Sequence, residues 1–396
     1  MLLTSFGKEY LLLGLRMGEI IDNYVDAYFG PKELQQIVNN ETNISAKSLL
    51  NDCARLQSQV RDQGFTQDRE RYLEKTLLAM ETSLRIENEE EMPYKEQISK
   101  LFDINPEYVS DEQFSKAVQK LDSVYEGTGP LSDRINPVYK RRELPQKKIY
   151  ELYKIGIDIV RDRTYELFPT LLPSNEKVSI KEVQEQKWNL YNWYKGNFLS
   201  QIDIDTTKPI SWNSILSLSA HEGYPGHHSE SCVKDKFLYQ EQQHFEHCIL
   251  LIHSPQMVIY EGIGDSAINV LFSLEAQMKL SIEKFCPDPS KERLENLIEE
   301  RIAWQEMKGY ETNLAMHIYE DNWTDEQIIE HILKLGFTTE ERIRNSLAFI
   351  RDPLWRPYSF NYYIGEKLIR KKYGEHPSPK DFEMLLKTPL LPSDFA

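Results

Sequence analysis

Across 396 residues, 63 acidic side chains outnumber 47 basic ones and give a formal net charge of −16. That balance opposes binding to DNA, RNA or anionic membranes, and leaves peptides or small molecules as the expected partners. No apolar run approaches the roughly 18 residues of a membrane span, and Lys8, Glu9, Arg16 and Glu19 interrupt the apolar N-terminal stretch, so the expectation is a soluble cytoplasmic protein without a signal peptide.

The elements are expected to be mostly helical. Apolar residues at three- and four-residue intervals predict helices over 46–61, 69–87 and 146–168. The acidic run Glu87–Glu91 reads as a solvated helix end. Pro and Gly residues across 125–137 predict a long irregular connection. The length suggests two lobes sharing one cleft, a helical N-terminal lobe of residues 1–175 and a C-terminal lobe of residues 176–396 that carries the chemistry.

Next come the aromatic residues Trp188, Tyr191, Trp193 and Tyr194, a cleft wall or plain core. Residues 200–205 alternate apolar and polar side chains and predict a short strand, of the kind that peptidases present at a sheet edge to an extended substrate. A helix is expected from about Ser211.

The most informative stretch follows, His221-Glu222-Gly223-Tyr224-Pro225-Gly226-His227-His228. In the zinc-hydrolase motif H-E-x-x-H, two His one helical turn apart face the metal while the Glu acts as general base. Here the fourth place after His221 is Pro225, and the next imidazoles come six and seven residues on. In a regular helix such partners would lie roughly 9–10 Å apart along the axis, too far for one zinc ion. Pro225, flanked by Gly223 and Gly226, breaks or bulges the helix and repairs the spacing. Either His227 or His228 is then the second ligand.

A second His-rich stretch, His244, His247 and His253, offers at most a weak second metal pair. Cys53, Cys232, Cys248 and Cys286 form no C-x-x-C pair and read as free thiols of a reducing cytoplasm. On the following helix, Glu261 is the expected third ligand, and Asp265, four residues on, lies on the same face, where it can orient a ligating imidazole. This E-x-x-x-D pair resembles that of the thermolysin-like peptidases. Further helices are predicted over 291–319, 325–335 and 339–349, the second capped by Thr324 and ended by Gly336. Arg351 and Arg356 have the fork geometry that grips a peptide's C-terminal carboxylate.

From about Gly196 onward the chain resembles a known family, the domain of unknown function 885 proteins, whose core motif is H-E-x-x-P-G-H. The segment at Glu261-Gly262, the run Asn322-Trp323-Thr324, and the pattern Arg351-Asp352-Pro353, Arg356-Pro357, Tyr362-Tyr363-Ile364-Gly365 agree with it in order. One departure is Ile263-Gly264 where the family has Trp-Ala. The resemblance implies a mainly α, two-lobed helical metallopeptidase-like fold, a gluzincin-like site and one zinc ion per chain held by His221, His227 and Glu261. His228 is then left to outer or substrate contacts. Glu222 is the expected base for metal-activated water. Tyr362, with Tyr363 as its neighbour, is the expected donor to a developing oxyanion. The function expected is a zinc-dependent peptidase of carboxypeptidase or dipeptidase type. The alternative is a non-catalytic helical binding protein with a structural or vestigial metal site.

Overall fold

Local signals of capping and periodicity mark several of the helices. At Asp325–Leu335, the Thr324 hydroxyl accepts from the Gln327 N–H at 3.3 Å while the Gln327 side chain accepts from the Thr324 N–H at 2.8 Å. Gly336, with φ of 77°, ends that helix in the left-handed region. The computed structural model describes residues 3–395. Helices hold 64% and strands 7% of the residues, so the chain is mainly α.

The predicted helices appear as Ala46–Gln59, Gln67–Glu87, Gln146–Leu167, Asp325–Leu335 and Glu340–Ile350. Two expectations are corrected. The stretch 291–319 is two helices, Leu294–Glu306 and Tyr310–Tyr319, parted by Gly309 at φ of 92°. A Cβ there would meet the Tyr363 ring at 3.0 Å, so a tertiary contact imposes a break that apolar periodicity cannot signal. The region 125–137 is irregular only at its start, because Leu131–Arg142 is a helix with Pro137 inside it. Pro130 precedes that helix, and burial of Leu131 and Ile135 holds it in place.

The strands form two small sheets. β1 (Val25–Tyr28) pairs antiparallel with β5 (Ile249–Leu251). β2 (Lys177–Val183), β3 (Leu190–Tyr194) and β4 (Leu199–Asp205) form the second sheet in the order β2-β4-β3. The strand expected at 200–205 therefore exists, but it is central. It is parallel to β2 on one side and antiparallel to β3 on the other, so its backbone groups are already paired. β3 is the edge strand next to the site.

Apolar packing then closes the molecule in three clusters, each drawing residues from both sides of residue 175. Gln146–Leu167 lies against Ile215–Glu222 so closely that a Cβ at Gly156 would sit 2.5 Å from Ser219 Oγ. Pro255–Leu271 crosses Ser359–Tyr373 at a glycine pair: a Cβ on Gly262 would lie 2.5 Å from the Gly365 carbonyl carbon, and one on Gly365 2.1 Å from the Val258 oxygen. Backbone thus meets backbone there. Among the described residues no single helix is long and apolar enough to cross a membrane. Pro255–Leu271 and Leu274–Phe285 reach that length only as a pair bent by 81°, and Met257, Ile259, Ile263 and Ala267 of the first are buried in the core.

Candidate metal centre

The helix carrying His221 stops at Glu222, and its last turn is closed in an unusual way. The Gly226 N–H donates to the Ala220 carbonyl at 3.0 Å, folding the Gly-Tyr-Pro-Gly segment back over the helix end. A Cβ at Gly226 would lie 2.1 Å from the His221 oxygen and 2.4 Å from the Ala220 oxygen, so only glycine permits this return. A new helix, His227–Val233, starts at once. The result is that the rings of His221 and His227, six residues apart, have centroids 4.4 Å apart.

Glu261 completes the group from Pro255–Leu271. Its Oε2 lies 3.4 Å from His221 Nε2 and 3.8 Å from His227 Nε2. That oxygen is buried without a hydrogen-bond partner, while Oε1 accepts from the Tyr358 hydroxyl at 2.5 Å. The His227 ring stacks parallel on Tyr260 at 3.8 Å. His221 Nδ1 lies 3.1 Å from Asp265 Oδ1, Asp265 Oδ2 accepts from Lys308 at 2.9 Å, and Lys308 also pairs with Glu366. A carboxylate on Nδ1 turns the Nε2 lone pair of His221 toward Glu261. Burial alone would lower the His221 imidazole, but Asp265 and Glu261 hold it well above its ordinary value. Burial holds the His227 imidazole well below its ordinary value, keeping it neutral and able to ligate. Two imidazoles, one orphaned buried carboxylate oxygen and a surplus of negative charge fit a zinc ion.

Glu222 is 8% exposed and faces the same space. Its backbone oxygen accepts from the Asn192 side chain of β3 at 2.5 Å. Burial pushes its carboxyl up to about 7, with Glu261 adding to the rise and His221 opposing it. Tyr362 sits at the mouth, 39% exposed. The packing around it, then the carboxylates of Glu261 and Glu222, hold its phenol well above the ordinary range, so it remains a donor. These groups line a pocket of about 100 Å³ that Asp26, Trp188, Tyr191 and Trp355 also wall. Of the aromatic cluster, Trp188 and Tyr191 face the pocket, Trp193 lies against Tyr191 at 4.5 Å, and Tyr194 is buried in the core.

The remaining predicted residues lie elsewhere. His228 is fully buried and points away from Glu261, with Nδ1 2.8 Å from Ser200 Oγ and Nε2 2.8 Å from Glu176 Oε2. Arg351 pairs with Asp325, and Arg356 lies over the Tyr319 ring at 5.0 Å and reaches Gln97 at 3.3 Å, so neither arginine lines the metal pocket. Their side chains are engaged by groups from distant helices, which spacing alone cannot reveal. Tyr363 turns from the pocket toward Gly309 and Lys367. His244, Glu246 and His247 form a second group, in which Arg69 holds both Glu246 oxygens at 2.7 Å. His253 is bonded to the Leu354 oxygen at 2.9 Å. Cys53, Cys232 and Cys248 are buried free thiols, and Cys286 is free and half-buried. Sequence reasoning missed Tyr358, Asp26, Asn192 and Lys308. Tyr358, beside Arg356-Pro357 in a matched motif, had a local signal; the others arrive from remote segments and had none.

No family model and no curated protein matches the chain, so the family resemblance rests on the motifs quoted above. Two similar solved structures are one described as "the putative lipoprotein from Colwellia psychrerythraea", at 13% identity and a TM-score of 0.49 over 92% of this chain and 68% of that one, and "a putative lipoprotein of unknown function from Shewanella oneidensis", at 13% identity and a TM-score of 0.43 over 96% and 82%. Both are too distant to inform the site.

Proposed function

We propose that this chain is a zinc-dependent hydrolase that cleaves peptide bonds, a relative of the domain of unknown function 885 proteins whose motifs it resembles. The observation that carries this reading is the convergence of His221 Nε2, His227 Nε2 and the unpartnered, buried Oε2 of Glu261, with the Glu222 carboxylate beside them. His221, His227 and Glu261 would hold one ion, leaving a position open to water and substrate as catalytic sites require. When bound, zinc supplies Lewis-acid activation of water and carbonyl near neutral pH.

The chain's own groups do the rest. Glu222 takes the proton from the attacking water on its carboxylate and returns it to the leaving amine. The Tyr362 hydroxyl donates a hydrogen bond to the oxygen that gains charge. Asp265 fixes the His221 tautomer, and Tyr358 fixes the Glu261 rotamer. β3 pairs only with β4 in its sheet, and in this reading an extended peptide would add along its other edge, beside the Asn192 tether to the Glu222 backbone. Support for carboxypeptidase action is lacking, because Arg351 and Arg356 are engaged elsewhere. A reducing, cytoplasmic setting forms part of this reading and rests on the four free thiols.

The test is Glu222→Gln. The variant is expected to bind zinc as the parent does while turnover of a peptide library falls by about 10²- to 10⁴-fold. Unchanged turnover in the zinc-loaded variant would remove Glu222 as the base.

A further inference from the structure

The metal pocket opens into a larger space. A cleft of about 740 Å³ runs between residues 20–26 of the N-terminal segment, β3 and residues 352–355. It shares Asp26, Lys187, Trp188, Tyr191 and Trp355 with the metal pocket, so the two are continuous. A substrate longer than the reacting bond would extend into it.

Its walls carry a definite chemistry. Four carboxylates, those of Asp22, Asp26, Glu87 and Asp352, face one ammonium, that of Lys187, and Lys187 is paired with Asp352 at 3.1 Å. His253 is held neutral, pushed down to about 4 mainly by burial. No arginine among the described residues lines either space. Zinc would offset Glu222 and Glu261 in the pocket but leaves Asp26 unopposed. Asp26 stands where cleft and pocket join. Tyr191 donates its hydroxyl to Oδ1, and among the described residues no group bonds Oδ2. Aromatic rings line the same space: Trp188 is 5.3 Å from Tyr191, Tyr191 is 4.5 Å from Trp193, and Trp355 also lines both spaces. A carboxylate with a free oxygen among aromatic rings suits an ammonium or guanidinium group, by charge-assisted hydrogen bonding and cation–π attraction. It repels a carboxylate.

We propose that this cleft selects peptides bearing a cationic group, an α-ammonium or a Lys or Arg side chain, seated on Asp26 among the aromatic rings that line the junction. For the reaction at the metal this rests on the peptidase reading, but binding can be measured without turnover. Trp188, Trp193 and Trp355 line the spaces, so tryptophan fluorescence of the zinc-loaded protein reports occupancy.

The titrants are four peptide amides: Ala-Ala-Ala with a free amino terminus, and the N-acetylated forms of Lys-Ala-Ala, Ala-Ala-Ala and Glu-Ala-Ala. At least one cationic peptide is expected to bind about tenfold or more tighter than the neutral acetylated one. Which of the two does so identifies the source of the cation. The glutamyl peptide should bind weakest, and Asp26→Asn should abolish the preference while keeping its zinc. Equal binding of neutral or acidic peptides, or an intact preference in Asp26→Asn, would overturn the proposal. Preference without hydrolysis of any peptide would count against the peptidase reading alone.

Discussion

His227 and His228 are neighbours in sequence with opposite surroundings. One ring turns to Glu261 and stacks on Tyr260; the other is locked between Ser200 and Glu176. Their alanine variants should therefore fail differently. His227→Ala is expected to lose zinc and remain folded. His228→Ala is expected to keep zinc affinity while losing about 1–3 kcal/mol of stability, since it removes one of the buried donors to Glu176, whose carboxylate keeps Tyr165 and Tyr224. Elemental analysis and urea unfolding of the two variants check this, and zinc loss confined to His228→Ala would reverse the assignment. The motif was legible because a His-Glu pair, a proline and two glycines are local signals. The partner that captures His228 was not, since Glu176 lies 52 residues away.

At the scale of elements, the site depends on how closely two helices approach. Glu261 is held against His221 because Gly262 and Gly365 let Pro255–Leu271 and Ser359–Tyr373 meet backbone to backbone. Gly264 faces the His221 ring in the same way, with a Cβ placed 2.8 Å from Nδ1, which gives a steric reason for glycine at this place. Gly262→Ala must push the helices apart, at a cost of about 3 kcal/mol. Zinc affinity should fall with it, because Tyr358 on the other helix's approach anchors Glu261. A variant as stable as the parent, with equal affinity, would contradict this packing account. Helix positions were readable from apolar periodicity and caps, as at Thr324 and Gly336. The break at Gly309, the helix through Pro137 and the central place of β4 were not, because each is decided by tertiary contact or strand pairing.

Across the whole molecule, a buried network around Glu176 ties the pieces that carry the site. Its carboxylate accepts from Tyr165 and Tyr224 at 2.6 Å and from His228 at 2.8 Å, with Arg161 at 3.4 Å, so the long helix Gln146–Leu167, the segment before β2, and the link and second part of the broken metal helix meet there. Burial alone would raise this carboxyl, but hydrogen bonds from His228, Tyr165 and Tyr224 hold it down at about 2. A carboxyl with a depressed folded-state value stabilises the fold above its ordinary value of 4.5, and that contribution is lost as pH falls toward about 2. Unfolding measured from pH 5 to pH 2 should accordingly show a steep loss of stability in the parent and a shallower one in Glu176→Gln, and identical slopes would refute the role given to this group. Mainly α architecture was legible from composition and spacing, whereas the joining of the segments through Glu176 was not, because no local pattern marks a carboxylate that three distant hydroxyl and imidazole groups will share. The three-ligand zinc site is tested by counting zinc per chain in protein purified without chelators, for the parent and Glu261→Gln. About one ion is expected in the parent and none in the variant. A parent that binds no zinc after it is added back, or a variant that holds it as tightly, would rule out the His221, His227 and Glu261 site.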